Sequence, residues 1–294
     1  MPVAPAGAVT IWGVGAPRNS SNEVTGPNQL FTFDSATPGN VTVVGSTGLS
    51  TDITLRGLDF DAAGNLYAYG ENNTSSTATG LYSLNTSTGV ASFIGGGGLD
   101  PGDNSRIHDL AFNPATGKMM GVGNTGVAQD TKSHLYDIDL TTGLATEIGD
   151  IVPPSGFLLP FGFAADASGR LFVIDTLSGS IMELVGLNAQ ALPNDVGYNP
   201  FGVIGLTIDW SGDGTFYLGG LQNLVPFQSE LRTVNGTTGD TTLVGAVGST
   251  GYEFFGPQDI AIRPVPEPET AAMVLVGLLV LVGSRAAARR RPPA

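Results

Sequence analysis

The stretch that decides the fold is Leu58–Gly95, with the sequence LDFDAAGNLYAYGENNTSSTATGLYSLNTSTGVASFIG. Alternating apolar residues enter and leave a turn at Gly64, and a second pair of such segments flanks a turn that ends at Gly89. Alternation of this kind between Gly- and Asn-marked turns is typical of β-hairpins. The stretch therefore predicts four short antiparallel strands.

The same pattern recurs along the chain with a period of about fifty residues. Further copies begin at Leu110, Phe163 and Leu206. The first copy, Val9–Gly45, lacks a first strand, and Asp259–Arg263 matches a first strand that nothing follows. A circular β-propeller closes in this way. We therefore predict an all-β, five-bladed β-propeller closed by its C-terminal strand; six blades, with one too divergent to see, and an open solenoid are the alternatives.

The composition excludes several classes of function. The chain has no Cys and only two His, so thiolate catalysis, disulfides and multi-His metal centres are excluded. Before Val265 there are 24 acidic residues and 8 basic ones, a net charge of −16. A body this acidic repels nucleic acid and anionic lipid, so we expect no nucleic-acid partner.

The long connections predict where a ligand would bind. Short Gly-marked turns join the first strand to the second and the third to the fourth in each copy. The other connections are mostly long, and in a propeller they share one face. We expect any binding site to lie on that face.

Alignment of the first strands places six polar residues near one mouth of the central channel. They are Arg56, Asp59, His108, Asp109, Gln258 and Asp259. A cluster of carboxylates suits a hard cation such as Ca²⁺, or a small polar ligand, and the alternative is a set of merely solvated acids. No residue is assigned a catalytic role, no other metal site is predicted, and Ca²⁺ is the one cofactor considered.

Other local motifs are interpreted as turns. The run from Asp209 to Gly214 starts like a calcium loop, but its twelfth position would be Gly220 instead of the bidentate Glu. The G-x-G-x-x-G at Gly121–Gly126 has no helix after it, so a dinucleotide site is rejected. The repeated Asp61, Asn113, Asp166 and Asp209 are predicted to form Asx turns.

Segments such as Gly57–Tyr67 (GLDFDAAGNLY) resemble the repeats of bacterial propellers of the gluconolactonase and NHL type. The resemblance covers residues 9–264 and concerns the turns. No set of residues in the chain matches the calcium-bound site of the lactonases, so the resemblance assigns no catalytic residue.

The ends of the chain differ from its body. Residues 1–8 contain Ala6-Gly7-Ala8, a cleavage-like pattern, and fit either a signal-peptide remnant or a plain N-terminus. Residues 9–264 form the propeller, 265–270 a Pro- and Glu-containing linker, 271–288 a transmembrane helix and 289–294 a basic tail. As a helix, the apolar segment is about 27 Å long, close to the roughly 30 Å of a hydrocarbon core. The basic residues Arg285, Arg289, Arg290 and Arg291 predict that this tail stays in the cytoplasm and the propeller outside.

This tail resembles the PEP-CTERM sorting signal. It has Pro266, Glu267 and Pro268, then one hydrophobic segment, then a terminal Arg cluster. The resemblance implies processing by exosortase, an integral membrane protease, near the Pro-Glu-Pro motif. It also implies a Gram-negative, exopolysaccharide-producing host and delivery of the protein to the cell surface or extracellular matrix.

The sequence thus predicts an exported propeller that is anchored in the cytoplasmic membrane before processing. We expect a non-catalytic module that binds exopolysaccharide, another glycan or a surface protein. One alternative is a lactonase- or lyase-like enzyme with a metal at the channel mouth. The other is a simple membrane-anchored periplasmic ectodomain.

Overall fold

The computed structural model describes residues 8–16, 25–72, 78–99, 105–125, 132–156, 158–176, 178–194, 203–211, 215–222, 228–248 and 259–263. Within these ranges twenty strands, β1 to β20 in chain order, form five four-stranded antiparallel sheets. The predicted all-β, five-bladed propeller is therefore confirmed.

Blade 1 joins the two ends of the propeller. Its strand order is β20 (Asp259–Ile262), β1 (Thr10–Gly15), β2 (Gln29–Asp34) and β3 (Thr37–Ser46). β20 pairs antiparallel with β1, and Gly13 lies opposite Ile260. The last strand thus completes the incomplete first copy, and β1 is paired on both edges, with β20 and with β2.

The other four blades follow the chain in order. Blade 2 contains β4 (Ile53–Phe60), β5 (Leu66–Asn72), β6 (Gly80–Leu84) and β7 (Ala91–Gly95). Blade 3 contains β8 (Arg106–Asn113), β9 (Lys118–Asn124), β10 (Ser133–Ile138) and β11 (Ala145–Ile151). Blade 4 contains β12 (Pro160–Ala165), β13 (Leu171–Asp175), β14 (Ser180–Val185) and β15 (Asn188–Ala191). Blade 5 contains β16 (Val203–Trp210), β17 (Phe216–Gln222), β18 (Gln228–Val234) and β19 (Thr241–Val247).

The hydrophobic core lies between the blades. Five clusters of buried apolar side chains each draw on two neighbouring blades, so that every junction in the ring has one. The junction of blades 4 and 5, for example, holds Phe172 and Phe216, whose rings meet at 4.7 Å in an edge-on contact. Because each blade buries both of its faces against neighbours, its strands need apolar residues of both parities.

The innermost strands β4, β8, β12, β16 and β20 contact one another in a ring around the central channel. Four of them carry a bulge near the end where they begin, and the extra residues are Gly57, His108, Phe161 and Gly205. At Gly57 the φ angle is +57°, and a Cβ atom there would lie 2.6 Å from the backbone nitrogen of Leu110. Only glycine fits this position, where the bulge turns the strand toward blade 3.

We find no helix in the described ranges that has the length and apolar character of a membrane span. The predicted transmembrane helix at 271–288, the sorting motif Pro266–Pro268 and the Arg residues from Arg285 to Arg291 lie outside those ranges.

Candidate functional site

Four buried aspartates project from the innermost strands into the central channel. Asp59 lies on β4, Asp109 on β8, Asp209 on β16 and Asp259 on β20, and none is more than 8% exposed. We call them the axial carboxylates. Blade 4 contributes none, because Gly162 and Ala164 occupy the aligned positions of β12.

Two of the axial carboxylates, Asp109 and Asp259, act as clamps near the bulges. Each accepts the N–H of the following residue of its own strand at 2.7 Å. The second oxygen of Asp109 accepts the N–H of Phe163 in blade 4 at 2.6 Å, and that of Asp259 accepts the N–H of Leu58 in blade 2. One carboxylate therefore joins blade 3 to blade 4, and the other joins blade 1 to blade 2.

Asp59 and Asp209 form a second level of clamps, nearer the turn that ends each strand. Each accepts the following N–H of its own strand at 2.6 Å. The second oxygen of Asp59 accepts the N–H of Phe112 in blade 3 at 2.6 Å, and that of Asp209 accepts the N–H of Ile262 in blade 1. Four of the five junctions are thus bridged by a carboxylate, and the junction of blades 4 and 5 is packed with apolar side chains.

Burial raises the pKa of three of these acids, Asp59, Asp109 and Asp209. Burial raises the pKa of Asp59 from 3.8 to about 7, against the opposing effect of its two backbone N–H donors, and the nearby charge of Asp259 adds to the rise. Burial also raises the pKa of Asp109 well above its ordinary range, as do the charge of Asp259 and a hydrogen bond between these two carboxyls. Burial and the charge of Asp59 do the same for Asp209. Asp59, Asp109 and Asp209 therefore keep their protons to a pH well above that at which exposed aspartates ionise.

A separate polar group surrounds the bulges, and we call it the rim cluster: Arg56, Glu71, Arg106, His108 and Phe161. The carboxylate of Glu71 lies 3.3 Å from Nε of Arg56 and 3.0 Å from Nε of Arg106. Since Glu71 and Arg56 belong to blade 2 and Arg106 to blade 3, this ion pair joins the two blades. The Arg106 side chain stays about half exposed, at 48%.

The bulge residues of blades 3 and 4 meet within the rim cluster. The imidazole of His108 stacks on the ring of Phe161 with centroids 4.2 Å apart, and the guanidinium of Arg56 lies 5.7 Å from the centre of the same ring. Nε2 of His108 contacts Oδ1 of Asn124. Burial first, and then the charges of Arg56 and Arg106, lower the pKa of His108 to about 4 against the opposing hydrogen bond with Asn124, so the ring is neutral at pH 7.

The structure separates the six residues predicted at the channel mouth into two groups. Asp59, Asp109 and Asp259 lie in the channel among the axial carboxylates. Arg56 and His108 lie in the rim cluster, where Glu71 and Asn124 are their partners. Gln258 lies outside the described residues.

The prediction that Asp209 forms a turn is wrong. Asp61, Asn113 and Asp166 do accept backbone N–H groups within their turns, as predicted. In blade 5, however, the N–H of Ser211 bonds Thr215 and so occupies the turn position, which leaves Asp209 in the channel. The reason is the number of positions from the bulge to the turn. In blade 5 Ser211 comes six positions after Gly205, whereas in blade 2 Asp61 comes only four positions after Gly57.

Sequence reasoning also missed Glu71, Arg106 and Phe161. Phe161 is the second residue of β12 and is the extra residue of the bulge in that strand, which places it in the rim. The feature that points to the rim is the bulge that recurs in four of the five innermost strands. Residues at such positions often lie beside functional sites.

Comparison with known proteins supports the fold. Residues 29–127 match a family described as a domain of unknown function, DUF4394. No protein among the curated ones matches the chain.

Solved structures that resemble the chain are distant in sequence. One, described as a "putative exo-beta-1,3-galactanase" from Bifidobacterium bifidum s17, has 16% identity and a TM-score of 0.50, over 79% of this chain and 74% of that one. Another, described as a "putative 6-phosphogluconolactonase" from Bacteroides uniformis ATCC 8492, has 15% identity and a TM-score of 0.47, over 82% and 83%. This chain spans about half of a third structure, a protein of unknown function from Bacteroides thetaiotaomicron VPI-5482 (15% identity, TM-score 0.45, 66% of this chain and 51% of that one). At this level of identity the likeness concerns the propeller fold alone.

Proposed function

We propose that this protein is an exported, non-catalytic propeller that binds a glycan through the rim cluster. The observation that carries the proposal is the exposure of Arg106 on the long-loop side of blades 2 to 4. There it shares the carboxylate of Glu71 with Arg56, whose guanidinium lies over the ring of Phe161. Guanidinium donors next to an aromatic side chain suit a ligand with many hydroxyl or carboxylate acceptors. Glu71 holds the guanidiniums in place, so the donors are oriented before the ligand arrives.

The chemistry of the channel favours binding over catalysis. Both oxygens of each axial carboxylate already accept a backbone N–H. Each carboxyl group is also at most 8% exposed, whereas a general base must lie within hydrogen-bond reach of a substrate proton. His108 is buried and lies between Asn124 and Phe161. These groups are therefore assigned to holding the blades together.

The delivery of the protein is proposed from its sequence. The Pro266–Pro268 motif, the apolar segment that follows and the terminal Arg cluster resemble a PEP-CTERM signal, which implies an exosortase as the processing partner. The propeller would then leave the membrane for the cell surface or matrix, where exopolysaccharide is available as a ligand.

Binding is tested with polysaccharide purified from the host's extracellular matrix and the full chain. We expect Arg106→Ala and Phe161→Ala each to weaken binding by at least tenfold. Arg170→Ala is the matched control, because Arg170 also lies over an aromatic ring, Phe172, and pairs with a carboxylate, Asp166, but next to a short turn. If Arg106→Ala, Phe161→Ala and Arg170→Ala all bound the polysaccharide equally well, the rim cluster would be excluded as the site.

Delivery is tested by intact mass of the protein from its native host. A species outside the cell that ends near Val265–Pro268 supports sorting. Recovery only from membranes, with Arg291 intact, would support the simple anchored ectodomain instead. The lactonase- or lyase-like alternative would be supported by turnover of a lactone that requires a divalent cation and Asp109.

A further inference from the structure

A second cluster of ligand-type side chains lies on the outer strands of blade 3. His134 on β10 is paired across the ladder with Asp150 on β11, and Glu147 lies three residues earlier on the same strand. In a regular strand, residues three apart point to opposite faces. A bulge removes Ile148 from the pairing at this point, so that Gly149 lies opposite Leu135 and Glu147 opposite Tyr136. The change of parity lets both carboxylates face the same imidazole.

The three side chains meet at Nδ1 of His134. This atom lies 3.3 Å from Oε1 of Glu147 and 3.2 Å from Oδ1 of Asp150. The His134 side chain is 94% buried, and its Nδ1 atom has no hydrogen-bond partner of acceptable geometry. Its other nitrogen, Nε2, lies 3.4 Å from the hydroxyl of Thr125. A buried nitrogen is thus directed at two carboxylates without being satisfied by either.

We propose that His134, Glu147 and Asp150 bind a divalent transition-metal cation such as Zn²⁺. A tetrahedral Zn²⁺ site with bonds of about 2.0–2.1 Å has ligand atoms roughly 3.3 Å apart. The two measured separations match that spacing. The imidazole nitrogen selects against Ca²⁺ and Mg²⁺, which prefer oxygen ligands only.

The surroundings of the cluster suit such an ion. Nζ of Lys132 lies 2.8 Å from Oδ2 of Asp150, which leaves Oδ1 to face His134 and offsets part of the negative charge. The hydroxyl of Thr125 holds the ring from its far side, as hydrogen-bonding groups around bound metals commonly do. Glu147 and Asp150 are 48% and 43% exposed, so the remaining coordination positions open to solvent. The site adds a metal-dependent contact, independent of the rim cluster, at which a ligand's oxygen atoms can bind.

The test is a Zn²⁺ titration by calorimetry on the full chain after removal of metals with a chelator. We expect one ion per chain at pH 7.5, with weaker binding at pH 5.5, because the ligands must lose their protons. Glu147→Gln and Asp150→Asn should each reduce affinity by at least tenfold. Substitution with Co²⁺ should give the visible absorption of a four-coordinate site, and both variants should weaken it.

The matched control is Asp137→Asn. Asp137 also lies on β10 and also pairs with a lysine across the ladder, Lys118, but it lies outside the His134 cluster. This variant should bind Zn²⁺ like the original protein. The proposal is overturned if the protein binds no Zn²⁺, or if Glu147→Gln and Asp150→Asn bind it as tightly as the original protein.

Discussion

The axial carboxylates predict that the propeller is most stable in mildly acid solution. The pKa of Asp59 is 3.8 when exposed and about 7 in the folded channel, where burial raises it. The folded state therefore binds a proton more tightly than the unfolded chain. The stabilisation is complete below pH 3.8 and is lost as the pH rises through about 7.

The size of the effect follows from the difference in pKa. A shift of about three units at 1.36 kcal/mol per unit amounts to about 4 kcal/mol from Asp59 alone. Asp109 and Asp209 have raised pKa values too, so they also lower the free energy of unfolding as the pH rises. We expect the free energy of unfolding, from urea titrations, to decrease by at least about 4 kcal/mol between pH 4 and pH 8.

Asp59→Asn isolates the contribution of one side chain. Asparagine does not titrate, but its amide NH2 cannot accept the second backbone N–H, so the variant should be less stable than the original protein near pH 4, by about 1–3 kcal/mol. Between pH 4 and pH 8 its free energy of unfolding should fall by about 4 kcal/mol less than that of the original protein, because it lacks the titrating group. A free energy of unfolding of the original protein that rises from pH 4 to pH 7, or a variant whose free energy falls just as steeply, would refute the reasoning.

Asp139→Asn is a control of opposite sign. Asp139 is exposed, and its carboxylate accepts the N–H groups of Thr142 at 2.9 Å and Thr141 at 2.8 Å, which lower its pKa. Its stabilisation is present above the unfolded pKa and is lost as the pH falls through the folded value. This variant should therefore lose stability at pH 7 and little at low pH.

Three further predictions concern the channel and its closure. Gly57→Ala should lower the free energy of unfolding by at least about 2 kcal/mol in chemical denaturation, because the φ angle is positive and the new Cβ would meet the backbone of Leu110; an unchanged midpoint would count against the bulge geometry. A chain that stops before Asp259 should melt well below one that stops after Arg263, since only the longer chain has β20 to pair with β1; equal melting temperatures would contradict closure. Ca²⁺ should leave the melting temperature at pH 7 unchanged, because the axial carboxylates bond to backbone N–H groups and hold protons; a gain that Asp109→Ala and Asp259→Ala abolish would instead favour the metal-dependent enzyme.

The repeats predicted the propeller because each turn is marked by residues that only a few conformations accept. Asp61 and Gly64 fix one hairpin, and Asn85 and Gly89 fix the next, independently of the rest of the chain. The missing first strand of copy 1 and the isolated Asp259–Ile262 predicted the closure for the same reason. Local signals were sufficient wherever the geometry is local.

The sites depend on register, which local signals do not fix. The alignment by hydrophobic parity equated Asp209 with the turn residues, whereas its carboxylate bonds to Ile262 of β20, as those of Asp59 and Asp259 bond to neighbouring innermost strands. The same limitation hid the cluster at His134, because Glu147 and Asp150 share a face only when Ile148 is bulged out. A bulge inverts every side chain beyond it, and no pattern of residue types in this chain marked where that happens.

The junction of blades 4 and 5 helps to explain what the axial carboxylates contribute to the fold. Among the described residues it is closed by Ala164, Phe172 and Phe216 without a bridging carboxylate, so a blade junction of this fold can form on apolar packing. The other four junctions retain acids whose burial is unfavourable once they ionise. Each acid, however, accepts one backbone N–H of its own strand and one of the neighbouring blade, and loss of its oxygens would leave those donors buried and unpaired. The carboxylates therefore set how neighbouring blades align near the rim, where Arg56 and Arg106 must meet Glu71, and that alignment is what a binding surface shared between blades needs.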